Sequence, residues 1–336
     1  MAPVQPRKQQ VGMLRVVIAT RGRGLLLERT LDSLAQCDLP PSYAGTLVIE
    51  NGERQGAERV VSDAARALDL VYRFHPDGNK SASLNVALEM VGSGLIVFLD
   101  DDVRVGKALL TAYGEAAAGI EGGIFFGGPV FPDYEVPPPS WLLNYLPGSA
   151  RGWTLTNTTD PVTAPVFLGA NWAAFVSDML AVGGFDPSLG PGAATRSVGQ
   201  ERAMQSRLLD AGRAGRYVPD AQVWHWVPRE RCTPRWAFHR MYREGVSRGL
   251  QDPAAVRSAR MFGYPRWAVR RAAEHALRAV VSCARPRSST NLDAIKQLLR
   301  SVGYLKGSHL ALRATGGSNQ GAQAEAECPS ARARKL

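Results

Sequence analysis

Gly94-Leu95-Ile96-Val97-Phe98-Leu99-Asp100-Asp101-Asp102 is an unbroken apolar run that stops in three adjacent carboxylates. A short run rich in Ile, Val and Phe and bounded by charge reads as a strand buried on both faces, with its C-terminal end at the surface. Ligands of open α/β sheets collect at such strand ends. Neighbouring carboxylates repel one another, and a hard cation such as Mg²⁺ or Mn²⁺ offsets that repulsion. The stretch therefore points to metal-assisted phosphate chemistry. The plainer alternative is a solvated Asp-rich turn capping a helix that begins near Lys107.

Upstream, Leu14 to Thr20 is a β-branched run stopped by Arg21-Gly22-Arg23-Gly24, after which Leu27, Thr30, Leu31 and Leu34 recur at helical spacing. The pattern repeats with a strand over Thr46–Glu50, an Asn51-Gly52 turn and a helix over Ala57–Leu68. A short strand over Leu70–Phe74 and a helix over Ser81–Val91 then lead into the aspartate-ended strand. Such alternation predicts a mostly parallel sheet covered on both faces. Downstream, Gly123–Val130 reads as one more strand, and the Pro-rich stretch Phe131–Pro165 as a long loop or insertion. Order resumes with apolar Val166–Val176, the Gly183-Gly184-Phe185-Asp186 segment, a helix over Gln200–Ala211 and a strand over Tyr217–Val227.

With 336 residues, 45% of them hydrophobic and 21% charged, the chain is ordinary globular material. Its first twelve residues lack an apolar core, so they do not read as a signal peptide, and no apolar run is long enough for a membrane span. Cys37, Cys232, Cys283 and Cys328 are scattered and form no CxxC pair, which argues against a zinc site or disulfide framework and fits a reducing cytoplasm. Charge is unevenly spread: residues 229–336 hold 21 Lys and Arg against 7 Asp and Glu, a net of +14 in a chain of +10, leaving −4 for residues 1–228. A basic half suits a polyanionic partner, a nucleic acid or an anionic membrane face; alternatively, Arg simply solvates helices there.

Four features lie in one order along the chain. They are a Thr-bearing loop after the first strand, an acidic residue ending the second, the Asp cluster, and Gly199-Gln200-Glu201 opening a helix. With Gly169-Ala170-Asn171, Gly183-Gly184-Phe185-Asp186 and Arg207-Leu208-Leu209-Asp210-Ala211-Gly212, the sequence from Leu14 to Arg248 resembles the family-2 inverting glycosyltransferases of the GT-A fold. Gly127-Gly128-Pro129-Val130, Pro137-Pro138-Pro139-Ser140-Trp141 and His225-Trp226-Val227-Pro228 before Arg231 are similar to its bacterial exopolysaccharide-biosynthesis members.

The resemblance implies an α/β fold of GT-A type, with a mostly parallel central sheet, helices on both faces and a helical C-terminal extension. It implies a nucleotide-sugar-binding half (13–130) and an acceptor-binding and catalytic half (131–228), while the sequence itself reads as a flexible N-terminus (1–12), a basic, Arg-rich helical extension (229–313) and a Gly/Ser/Ala/Glu-rich disordered tail (314–336). The implied activity is a metal-dependent, hexosyltransferase-like transfer with inversion, from a nucleoside-diphosphate sugar to a glycan or lipid-linked glycan, in surface polysaccharide biosynthesis.

Asp100 and Asp102 match the family's DxD pair, Asp100 touching ribose or Mn²⁺/Mg²⁺ and Asp102 the metal. Asp101 joins the nucleotide group with its side chain turned elsewhere. His225 matches a histidine beside the metal or diphosphate, or else is a half-buried ring between Trp224 and Trp226. Glu201 stands where the family has an acidic dipeptide and is the candidate base, or an ordinary acid favourable to a helix dipole. Thr20 and Arg23 match the base-contacting loop. Glu50 replaces an Asp that accepts from uracil or ribose, unless it merely neighbours the Asn-Gly turn. Near Asn85 the family carries Gly and Arg, whereas this chain has Lys80 and Leu84, so Lys80 would supply the charge without Arg's fork. Asp186 reads as a turn cap.

Placed in the cytoplasm, the basic helices would touch the anionic inner membrane face, Arg270, Arg271, Arg278 and Arg285 flanking apolar Ala272 to Val281. The alternative is an Arg-solvated helix packed on the catalytic domain. Two rival functions remain. A sugar-nucleotide pyrophosphorylase or other nucleotidyltransferase needs a stronger glycine-rich, basic signature than Arg21-Gly22-Arg23-Gly24. A non-enzymatic nucleic-acid-binding protein leaves the acidic cluster unexplained, which disfavours nucleic acid as partner.

Overall fold

The computed structural model describes residues 13–65, 68–155, 161–195, 197–283 and 289–326. Its elements are β1 (Leu14–Thr20), α1 (Gly24–Leu34), β2 (Tyr43–Asn51), α2 (Ala57–Ala64), β3 (Leu70–His75), α3 (Lys80–Val91), β4 (Leu95–Asp100), β5 (Val103–Val105) and α4 (Leu109–Ala116). There follow β6 (Ile124–Gly127), β7 (Val130–Tyr134), α5 (Ser140–Leu143), α6 (Gly148–Arg151), β8 (Asn171–Phe175), α7 (Val176–Ala181), α8 (Gln200–Asp210), β9 (Ala214–Tyr217) and β10 (Val223–Val227). The last are α9 (Pro234–Gln251), α10 (Pro253–Arg257), β11 (Arg260–Met261), β12 (Tyr264–Pro265), α11 (Arg266–Cys283) and α12 (Ser289–Ala326). The chain divides into two compact units at Ala237 and Phe238, so residues 131–228 share a unit with 13–130.

In the first unit seven strands form one sheet in the order β3-β2-β1-β4-β8-β6-β9. Strands β1 to β4 are parallel, and β8 runs antiparallel to both β4 and β6. Alternation within β1 shows why the sheet needs two covers. Leu14, Val16 and Ile18 face a core with Leu27, Leu31 and Leu34 of α1 and Leu109, Leu110 and Tyr113 of α4. Val17 and Ala19 face the other core, with Leu84 and Leu88 of α3 and Met204 and Leu208 of α8. Each such buried leucine contributes about 2 kcal/mol, which is why β4 reads as an unbroken apolar run.

The stretch expected to be one strand over 123–130 is two, in different sheets: β6 in the large one and β7 in a small sheet ordered β5-β10-β7. Gly127-Gly128-Pro129 makes the break. A Cβ on Gly127 would collide with the Phe167 ring and one on Gly128 with the Ala221 carbonyl, so the backbone is clamped where Pro also denies a ladder donor. Asn171 completes the clamp, its Nδ2 donating to Pro129 O (3.0 Å) and Ala221 O (2.6 Å) while Oδ1 accepts from Tyr113 (2.7 Å). Likewise the strand expected over 217–227 is β9 and β10, and the expected loop after Phe131 contains most of β7 together with α5 and α6.

The second unit is helical. Gly245 and Gly249 of α9 face Gly303 and Gly307 of α12 so closely that a Cβ on any of the four would strike the opposing backbone. Arg300 of α12 pairs with Glu244 (2.8 Å) and Tyr304 donates to Asp252 (2.6 Å). Helix α11 buries Ala268, Ala272 and Ala279 and packs along α12. Helix α12 continues to Ala326, through residues expected to form a flexible tail, since extending an existing helix costs far less than nucleating one. Residues 1–12 and 327–336 lie outside the described residues. No helix among the described residues is long and apolar enough to cross a membrane.

Candidate active site

Register builds the site. Strands β1 and β4 pair with Ala19 beside Asp100, so the next residue of each, Thr20 and Asp101, emerge together. The Thr20 hydroxyl donates to Asp101 Oδ2 at 2.7 Å. Arg23, at the N-terminal edge of α1, reaches Asp101 Oδ1 at 3.0 Å and also bonds Asp102 Oδ2. After the aspartates the chain turns into β5, which pairs antiparallel with β10 so that His225 opposes Val103. Trp226 N donates to Asp102 O at 2.8 Å, locking that register. His225 Nε2 therefore lies 3.3 Å from Asp102 Oδ1, and Arg231, in the turn after β10, 3.7 Å from Asp102 Oδ2. On the other side Lys80, the first residue of α3, donates to Asp100 Oδ1.

These neighbours separate the aspartates electrostatically. Burial pushes the Asp100 carboxyl up, but Lys80, His225 and Arg23 outweigh it and hold it at about 2. Burial raises Asp101 too; Arg23 and the Thr20 hydroxyl oppose this, while Asp102 and Asp100 reinforce it, and its carboxyl sits at about 6. Lys80 and Arg23 both rise above their ordinary values because the aspartates overcome the burial that would depress them.

Asp100, Asp102 and His225 each offer one ligand atom, and the three atoms lie within 4.8 Å of one another. Buried Asp102 Oδ1 and His225 Nδ1 have no hydrogen-bond partner. Leaving such atoms bare is costly, and two carboxylates with an imidazole suit a divalent first-row ion. The residues present thus fit a metal. Asp101, in contrast, is engaged by Thr20 and Arg23 and stands outside that trio.

Glu201 lies in the first turn of α8, whose N-cap Gly199 has φ 86°. Its carboxyl group rests over Gly169, where a Cβ would approach Glu201 Cδ to 3.3 Å. The charge of Glu201 acts on Lys80 together with those of Asp100 and Asp101. Helix α8 is fixed from within: Gln205 bonds Phe167 N (3.1 Å) and O (3.0 Å), and Arg207 bonds Val182 O (2.7 Å). The loop ahead of α8 is stitched to the start of α3 by Asn79 to Pro187 O (2.8 Å), Lys80 N to Pro191 O (3.0 Å) and Ser81 to Leu189 O (2.7 Å).

Two residues expected to contact the nucleotide also hold the fold. Glu50 accepts from Gln55 N (2.6 Å), Ala57 N (3.3 Å) and Tyr72 OH (2.6 Å), holding the turn into α2. Asn85 bonds both Phe185 N (2.6 Å) and Phe185 O (2.8 Å), pinning the Gly183-Gly184 turn. Asp186 accepts from Ser188 N (2.8 Å), as a turn cap does. Arg231 is the site residue that sequence reasoning leaves out; only its place after His225-Trp226-Val227-Pro228 signals it.

Residues 15–179 match the family model Glycosyl transferase family 2. The succinoglycan biosynthesis protein ExoM of Rhizobium meliloti (strain 1021) is 26% identical over 231 residues, 66% of this chain and 70% of that protein. A validoxylamine A glucosyltransferase of Streptomyces hygroscopicus subsp. limoneus is 32% identical over 120 residues, 35% of this chain and 26% of that one. Among solved structures, a mannosyltransferase from Pyrobaculum calidifontis in complex with GDP-Man and Mn²⁺ superposes over 95% of this chain and 76% of its own with a TM-score of 0.50 and 16% identity, a likeness of fold.

Proposed function

We propose that the protein, whose residues 15–179 match the glycosyl transferase family 2 model and whose fold is like that of a solved mannosyltransferase, moves a sugar from a nucleoside diphosphate to a glycan or lipid-linked glycan, with inversion, in the assembly of a surface polysaccharide. The carrying observation is the convergence of Asp100, Asp102 and His225 beside Lys80, Arg23 and Glu201 at the end of β4. Similarity to a succinoglycan-biosynthesis protein over most of both chains supports the polysaccharide setting.

In this reading Asp100, Asp102 and His225 hold Mn²⁺ or Mg²⁺, the imidazole favouring Mn²⁺. When bound, such an ion neutralises charge on the departing diphosphate. Lys80, Arg23 and Arg231 add positive charge at the same strand end, where two phosphates require it. Thr20 and Asp101 keep Arg23 in place, and Glu50 and Asn85 act through the turns they hold. Glu201 takes the proton of the acceptor hydroxyl as its oxygen attacks the anomeric carbon; the bond to the phosphate oxygen breaks on the opposite face, so configuration inverts. The setting is the cytoplasm, with peripheral contact at the membrane where a lipid-linked acceptor resides.

Glu201→Gln tests the base. The amide keeps the side chain's shape and cannot accept a proton at neutral pH, so donor affinity should persist while transfer falls by about 10²–10⁴. Transfer at the wild-type rate in Glu201→Gln would remove Glu201 from the chemistry.

A further inference from the structure

The second unit carries a surface that its own packing leaves uncovered. Strands β11 and β12 form a hairpin whose central residues Phe262 and Gly263 both have positive φ, 55° and 81°. Two-residue hairpins with positive φ at both positions favour Asn-Gly or Gly-Gly, because a bulky side chain is strained in the left-handed region. Phenylalanine occupies that position nonetheless, and the residue is 87% exposed. It contributes neither turn propensity nor burial to the fold.

The surroundings share this character. Met261 beside it and Trp267 in the first turn of α11 are exposed, the indole resting against Tyr304 at a centroid distance of 5.2 Å. Further along α11, Leu277, Val280 and Val281 are exposed as well, at 66%, 69% and 47%. At 1.5 Å per residue they lie about 15–20 Å from Trp267. Ala268, Ala272 and Ala279 form the buried face of α11, so the large apolar side chains point away from its packed side. Between Pro253 and Cys283 the sequence has Arg257, Arg260, Arg266, Arg270, Arg271 and Arg278 against Glu274 alone among the acids.

We propose that the β11–β12 hairpin and the outer face of α11 dock on an anionic phospholipid bilayer, with Phe262 inserted at the level of the acyl-chain boundary and the arginines on the headgroups. Exposed large apolar residues ringed by like positive charge match that partner on both counts, since interfacial binding combines apolar burial with attraction to anionic lipid. A nucleic-acid duplex would be held by the arginines but keeps its bases stacked and gives Leu277 and Val280 nothing to bury. The inference names the surface behind the peripheral contact proposed above, and it is independent of donor, metal and acceptor.

Co-sedimentation of the full-length protein with phosphatidylcholine vesicles, pure or containing phosphatidylglycerol, tests it without any transferase assay. Wild type should bind the phosphatidylglycerol vesicles at low salt, lose that binding as salt rises, and ignore pure phosphatidylcholine. Phe262→Asn suits the turn better than phenylalanine, so its melting temperature should hold or rise while vesicle affinity drops about tenfold or more, the factor for one large apolar side chain. Arg271→Gln with Arg278→Gln should weaken binding and flatten its salt dependence. Wild type that ignores anionic vesicles, or Phe262→Asn that binds them as tightly as wild type, overturns the proposal. So does salt-sensitive binding to duplex nucleic acid that competes with vesicles and is unchanged in Phe262→Asn. Failure here would leave the transferase reading standing, because Glu201→Gln is scored on transfer alone.

Discussion

Asp100, Asp101 and Asp102 are indistinguishable as letters, and their neighbours make them different. Lys80 and His225 hold Asp100 ionised at about 2, Asp102 aims a bare oxygen at His225, and Asp101 turns back to Thr20 and Arg23. The family resemblance marks Asp100 and Asp102 as a DxD pair, but not the hydrogen bonds that Thr20 and Arg23 make to Asp101, which depend on two strands ending in register. Asp101→Asn keeps the acceptor oxygen for Thr20, so metal-dependent nucleotide binding should weaken by about tenfold at most, the lower range for a residue supporting a ligand. Asp102→Asn removes one of the proposed metal ligands and should abolish the metal dependence. Titration calorimetry of both variants with UDP or GDP and Mn²⁺ separates the roles, and equal losses would refute them.

At the scale of elements, what was legible was what burial dictates. The apolar runs of β1, β2 and β4 and the helical spacing of α1, α3 and α8 are written in side chains that face the two cores. The break between β6 and β7 was not, because it depends on the distant Asn171 and Ala221 meeting Gly128. Asn171→Ala would strip partners from Pro129 O, Ala221 O and the Tyr113 hydroxyl, and an orphaned buried polar group costs about 1–3 kcal/mol. The first unit should therefore melt several degrees lower in a calorimetric scan, whereas an unchanged melting temperature would deny the clamp. In the second unit the glycines of α9 and α12 are spaced so that two backbones meet, a pairing neither helix discloses alone. Gly307→Ala puts a methyl against Val246 O and should cost about 1–3 kcal/mol by overpacking; denaturant unfolding reads it, and a neutral result would mean the helices part at no cost.

For the whole molecule, charge and chemistry divide between the two units. The half that holds the acidic cluster is net negative and the C-terminal region strongly positive, an asymmetry plain in composition, whereas the exposed apolar face within the basic region becomes visible only once α11 has chosen which side to bury. The central claim is that the end of β4 is a metal-dependent site for the diphosphate of a sugar nucleotide. Calorimetric titration of UDP and of GDP into the full-length protein, with and without Mn²⁺, tests it most directly. Without the ion, Asp100 and Asp102 repel the phosphates. The account therefore expects at least one of the two nucleotides to bind at least about tenfold more tightly with Mn²⁺, a gain of about 1.4 kcal/mol. If neither UDP nor GDP binds more tightly with Mn²⁺ than without it, the site is not the one described.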